Sequence, residues 1–162
     1  MADAVKMEKA REVQNALRSF LDKIDFVYTV DEEAEEDGKF VLRLTINGDD
    51  IPMNFIYIID ADRELISVYS PMPFKIPEEK RMEMAVAVCV ATWGLNDGSF
   101  DYNILKGTLS FRQTVAYANS RVGEALFLYL VKRGSGIVDQ YNDRFLALAK
   151  GTMSLDQFIE AE

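Results

Sequence analysis

The sequence predicts an α+β domain: an antiparallel β-sheet, made of a meander and a C-terminal hairpin, with helices packed on it. Three observations carry this. In residues 39–46, Phe40, Leu42, Leu44 and Ile46 alternate with Lys39, Val41, Arg43 and Thr45, the two-residue period of a strand with one buried face. Residues 97–112 read as two strands folded on a Lys106-Gly107 turn, which sets Ile104 against Leu109, Tyr102 against Phe111 and Asp101 against Arg112. Ala10, Val13, Leu17, Phe20, Leu21 and Ile24 recur at threes and fours, as on a helix with one buried stripe.

Length and charge narrow the class. A chain of 162 residues, 49% hydrophobic, holds one domain with a real core, so residues 1–162 are read as a single unit. A net charge of −9 and a pI near 4.6 argue against a nucleic-acid or anionic-membrane surface, which would need Lys and Arg gathered on one face. A single cysteine leaves no internal disulfide, and the first residues lack the apolar core of a signal peptide, so a cytoplasmic location is expected. The charge-free run from Met84 to Leu95 is shorter than the roughly 20 residues of a spanning helix.

Taken in order, the first helix covers Ala4 to Ile24 and is followed by a short strand, Phe26 to Val30, at the edge of the sheet. The acidic run from Asp31 to Gly38 reads as a solvated loop. A two-residue turn at Gly48-Asp49 would place Ile46 against Ile51, Leu44 against Met53, Leu42 against Phe55 and Phe40 against Tyr57. A further turn at Ala61-Asp62 would set Tyr57 against Ile66 and Phe55 against Val68. Asn54, Ile56, Ile58, Leu65 and Tyr69 then share the opposite face. That face is apolar enough to call for cover, and packing by the chain's own helices is the favoured explanation over a partner.

The prolines of residues 70–77 end the meander, and Pro77, Glu78 and Glu79 suit the start of a second helix reaching about Leu95. That helix has two apolar stripes, Met82, Val86, Cys89, Trp93 and Met84, Val88, Ala91. A helix without a polar face is expected to be covered on both sides, by the sheet and by a later helix or a second subunit. Asn119 or Ser120 can cap a third helical region, which Gly134 and Gly136 should interrupt or kink and Gly151 should stop. Ser154 and Gln157 have capping-box spacing for a last short helix.

The chemistry on offer is thin. The absence of histidine removes the commonest general base and metal ligand, and no cofactor or metal site is expected. Cys89, between Val88 and Val90, reads as core. The carboxylate pairs Asp49-Asp50, Asp60 with Asp62, and Asp97 with Asp101 lie at turns, where Asp serves local hydrogen bonding. Asp101 facing Arg112 across the hairpin reads first as a cross-strand ion pair and second as a charged contact for a partner.

The run Pro77-Glu78-Glu79-Lys80-Arg81, the helix to Asn96, then Gly98-Ser99-Phe100-Asp101 and Gly107-Thr108-Leu109-Ser110-Phe111-Arg112, closing on Gly151-Thr152-Met153-Ser154, resembles the YbjN-domain family of bacterial proteins from about Phe26 to Phe158. The resemblance implies a fold like that of type III secretion chaperones, in proteins usually small, acidic, cytoplasmic and often dimeric, described as sensory transduction regulators or chaperone-like adaptors. It attaches no catalytic residue. Trp93-Gly94 and Gly134-Ser135-Gly136 depart from the family pattern. The expected function is therefore non-enzymatic: a protein-binding adaptor, expected to form a homodimer or hold an extended client segment, with Ile56, Ile58, Tyr69, Asp101 and Arg112 as partner-binding residues. A small-molecule sensor with a pocket between sheet and helices is the alternative, and an enzyme using paired carboxylates a third.

Overall fold

A computed structural model of the chain describes residues 2–49 and 51–162. Asp3 caps the first helix by accepting the Lys6 backbone N–H at 2.9 Å, and α1 (Ala4–Lys23) buries Ala10, Val13, Leu17, Phe20 and Leu21 as its periodicity requires. β1 is Tyr28–Asp31, two residues later at its start than the sequence suggested. The acidic run is folded rather than open: Glu33–Asp37 forms a short 3-10 helix, and Glu35 takes an ion pair from Arg11 of α1. β2 (Lys39–Asn47), β3 (Pro52–Asp60) and β4 (Leu65–Pro71) make the meander. α2 (Arg81–Trp93) follows one 3-10 turn at Glu78–Lys80, and β5 (Ser99–Asn103) and β6 (Thr108–Ala116) form the hairpin. The chain ends in α3 (Glu124–Lys150) and α4 (Leu155–Glu160).

The hairpin does not stand apart from the meander. All six strands form one antiparallel sheet in the order β1-β2-β3-β4-β6-β5, because β6 pairs with β4, Tyr69 opposite Arg112 and Ser70 opposite Phe111. Within it, every turn placed from the sequence is displaced by two residues. Ile46 faces Met53, Leu44 faces Phe55, Leu42 faces Tyr57 and Phe40 faces Ile59, so the β2–β3 connection spans residues 48–51 instead of two. Tyr57 faces Val68 and Ile59 faces Ile66, and Tyr102 faces Leu109, Phe100 faces Phe111 and Asp101 faces Ser110. A shift of two keeps each side chain on its face, so the apolar side was assigned correctly while the partners were not.

Phe40, Leu42, Leu44, Phe55, Tyr57, Ile59, Ile66, Val68 and Phe111 line the inner face, all buried, with α1 and α3 packed over them. α3 is capped at Gly123, later than Asn119 or Ser120, and runs unbroken through Gly134 and Gly136 for 27 residues. Gly134 lies where the helix meets the sheet: a Cβ there would stand 3.0 Å from Gln113 Oε1 and 3.5 Å from the Phe55 ring. The glycine serves close approach, and the expected break does not occur. Gly151 ends α3 in left-handed conformation, and the Ser154 and Gln157 capping box starts α4 as its spacing implied.

Candidate functional site

Among the described residues two surfaces stand out as uncovered, and they differ in character. The first is the outer face of the sheet. Ile56, Tyr69 and Arg112 are successive cross-strand partners on β3, β4 and β6, and Ile58 lies two residues along from Ile56. Asp101 is offset by two pairs from Arg112, yet its carboxylate accepts Arg112 Nε at 2.6 Å and Nη2 at 3.1 Å. Donating its hydrogen bonds to the Asp101 carboxylate holds the Arg112 guanidinium above its usual pKa. The five residues singled out in the sequence thus share one face. Contrary to expectation, the chain's helices do not cover it: Arg43, Thr45, Asn54 and Thr114 are exposed there, and Ile56, Ile58 and Tyr69 are only half-buried. Asp31 lies 3.6 Å from Arg43, so this face balances its acids with bases while the chain as a whole is strongly acidic.

The second surface is α2. Met84, Ala87, Val88 and Ala91 turn inward and are buried, but the other stripe is open: Met82 is 71% exposed and Trp93 91%, with Val86 and Cys89 exposed between them. The double cover expected for this helix is absent within the chain, and the reading of Cys89 as core is overturned. Leu105, 84% exposed in the β5–β6 loop, and Ile104 extend the apolar surface. Between helix and hairpin runs a groove of about 700 Å³ lined by Ala85, Val88, Cys89, Thr92, Phe100 and Tyr102 among others, without a charged side chain. Thr92 Oγ1 accepts the Phe100 backbone N–H at 3.1 Å, so α2 itself occupies part of the free edge of β5. The Tyr102 hydroxyl and Arg81 Nε are both buried without a hydrogen-bond partner, while Arg81 Nη1 donates to the Leu105 carbonyl at 3.1 Å. Burial raises the Tyr102 phenol pKa, against the opposing pull of Arg81. Sequence reasoning found this stripe and expected a later helix or a second subunit to cover it, with Cys89 as core; periodicity reports two apolar sides but not which one the chain itself covers.

The remaining candidates are held by local structure. Asp97 accepts hydrogen bonds from Tyr129 and Arg133 of α3, and Asp101 is committed to Arg112, so this pair does not converge. Asp60 accepts the Arg63 backbone N–H at 3.0 Å, as a turn former does. Asp49 donates its backbone N–H to Asp139, and Asp50 lies outside the described residues. Between sheet and helices, Phe100 stacks edge-on against Phe111, Tyr141 and Phe145 at 5.4, 5.2 and 5.0 Å between ring centres, and Phe145 lies 5.4 Å from Phe158. Rings fill this part of the space in which an interior pocket was the alternative expectation. Among the described residues, no helix is long and apolar enough to cross a membrane.

No protein-family model matches the sequence, and no curated protein matches it significantly. The structure is similar to the crystal structure of YbjN from E. coli, a candidate transcription regulator, with a TM-score of 0.55 over 80% of this chain and 91% of that one, at 13% identity. The likeness is one of fold, and the chain has a YbjN-like α+β architecture of six antiparallel strands and four helices.

Proposed function

We propose that this protein is a non-enzymatic, chaperone-like adaptor of the bacterial cytoplasm that acts by contact with another polypeptide, and that α2 with the β5–β6 hairpin is its contact surface. The observation that carries this is Trp93. A tryptophan 91% exposed, in line with exposed Met82, Val86 and Cys89, leaves a large apolar surface in water, and Trp is prominent among the residues that dominate protein interfaces. The outer sheet face is the weaker candidate because its apolar residues are already half-buried against one another and its charges are paired. A ligand pocket inside the fold has less support, since the aromatic cluster occupies much of that region.

Trp93 is the only tryptophan in the chain, so its fluorescence reports on this surface alone. Its emission and acrylamide quenching are measured over a dilution series, then with reduced, unfolding insulin chains added as a model client. Blue-shifted, protected emission in either series supports the reading; a Trp93 that stays fully quenchable in both defeats it. Replacing Ile56 and Ile58 by Asp should leave the response intact, and Trp93→Phe, followed by co-sedimentation with the insulin chains, should weaken binding; binding lost in the Ile56/Ile58 variant and kept in Trp93→Phe would place the contact on the sheet face instead.

A further inference from the structure

We infer that the groove beside α2 is also a small-molecule site and takes a long-chain carboxylic acid, its carboxylate held by Arg81 and Tyr102 and its hydrocarbon tail lying toward Trp93. This goes beyond the adaptor reading: it shares Trp93 with that reading but rests on the other end of the groove.

The walls select the tail. At about 700 Å³ the groove falls within the range of about 300–1,000 Å³ that small-molecule sites occupy. Ala85, Val88 and Cys89 line it from α2 and Phe100 from the hairpin, and Trp93 adds an indole. The Thr92 hydroxyl is already engaged, accepting the Phe100 backbone N–H at 3.1 Å. Such walls give a methylene chain burial and leave it no hydrogen bond to satisfy.

Two donors without an acceptor select the head. Arg81 stands four, seven and eleven residues before Ala85, Val88 and Thr92, so it continues their stripe at the first residue of α2. Trp93 lies about 18 Å further along the axis, at about 1.5 Å per residue. Arg81 Nε and the Tyr102 hydroxyl are both buried without a hydrogen-bond partner. Nε lies 3.3 Å from where a Cβ of Gly107 would stand, and the Arg81 charge acts on the Tyr102 phenol, so the two groups meet beneath the β5–β6 loop. The other described cations without an ion pair are exposed, whereas Arg81 is partly buried. Buried donors left unpaired cost free energy, and an anionic oxygen is the acceptor that repays most.

A carboxylate offers two oxygens to these two donors. A phosphate would bring a third oxygen and more charge close to Glu78, Glu79 and Glu83. These acids do not exclude a single negative charge. Lys80 holds Glu83 at 2.9 Å, and exposed Lys75 and Lys106 flank the point where the Ile76 N–H bonds the Gly107 carbonyl. Ile104 lines the groove beside Tyr102 and is 37% exposed. The donors are covered, so the head group enters as the Ile104 side chain turns outward.

The test uses the full-length protein and the quenching of Trp93 by dibrominated stearic acid, kept below the concentration at which the acid forms micelles. Quenching should saturate at one acid per chain at micromolar concentration, and the brominated alcohol of equal chain length should bind at least tenfold more weakly. Tyr102→Phe deletes a hydroxyl that bonds to nothing within the chain, so the fold survives it. It should weaken the acid several-fold and leave the alcohol unchanged, while Arg81→Gln should bring acid and alcohol to equal affinity. The inference is overturned if Trp93 is not quenched, if acid and alcohol bind alike to the unsubstituted chain, or if the preference for the acid survives both substitutions. If insulin chains shield Trp93 and the acid does not quench it, this inference fails and the adaptor reading stands. If the acid quenches it with the stated preference and insulin chains do not shield it, the adaptor reading fails and this inference stands.

Discussion

Gly107 closes the β5–β6 loop at φ +64°, and a Cβ there would lie 2.5 Å from the Ile76 carbonyl oxygen, to which the loop is docked by the Ile76 N–H bonding Gly107 at 2.8 Å. Gly107→Ala meets both a left-handed backbone and a backbone clash, so it should cost about 2–4 kcal/mol, read as a lower urea midpoint at unchanged slope. An unshifted midpoint would mean that the loop yields. Tyr117 and Tyr141 offer a second handle. Burial is the main cause raising each phenol from 10.0 to about 12, aided at Tyr141 by its hydrogen bond to Glu162. A raised phenol pKa means the folded chain holds the proton more tightly than the unfolded one. Their contribution is therefore complete below pH 10, lost as pH rises from 10 to about 12, and absent beyond that. Thermal melting should fall across that window, and more gently in Tyr117→Phe. A flat profile would show that these rings gain their protons no advantage from burial.

The two-residue displacement of the hairpins has a physical cause that the sequence did contain. Lys106-Gly107 suits a tight two-residue turn, and so the strands were paired around it. In the structure Gly107 is the last of four loop residues; Asn103 receives the Gly107 N–H on its carbonyl at 2.8 Å and the Lys106 N–H on its side chain at 3.0 Å. Asp60 does the same for Arg63 at the β3–β4 loop, where Glu64 takes the left-handed position at φ 53°. An Asx residue four places before a left-handed residue was the available signal, and alternation could not supply it, since shifts of two preserve every face. The meander and hairpin were legible; the joining of β4 to β6 was not, because partners on non-consecutive strands leave no local mark. Likewise Gly134 and Gly136 look alike in sequence, yet only Gly134 touches the sheet, while nothing lies within 4 Å of a Cβ at Gly136. Gly136→Ala should raise stability by about 0.5–1 kcal/mol through helix propensity. Gly134→Ala should gain less or lose, because it presses on Gln113 Oε1 and the Phe55 ring. Denaturant titration of the pair decides: equal gains would show that α3 does not lie tightly on the sheet.

Across the molecule, electrostatics and burial pull on the same residues in different directions. The ion pairs are mostly surface ones, such as Lys23–Glu124 at 2.7 Å with side chains 64% and 62% exposed, and pairs of this kind contribute about 0–1 kcal/mol each. Against them stands a net charge of −9, with Asp31 at the end of β1 and the Glu-rich segment up to Asp37 that follows it concentrated before β2. Salt weakens both effects. The pairs are local and already partly screened by water, whereas repulsion among the excess carboxylates acts over distances comparable with the screening length of about 10 Å at 0.1 M salt, where added ions change it most. Repulsion is therefore the larger quantity that salt removes. Melting at pH 7 should rise from low salt to physiological ionic strength, equally with sodium or potassium chloride, and the rise should shrink near the pI of 4.6, where the net charge vanishes. A melting temperature that falls with salt would reverse the balance, and would mean that Arg11–Glu35, Arg112–Asp101 and Arg144–Glu162 hold the fold together more than their exposure implies.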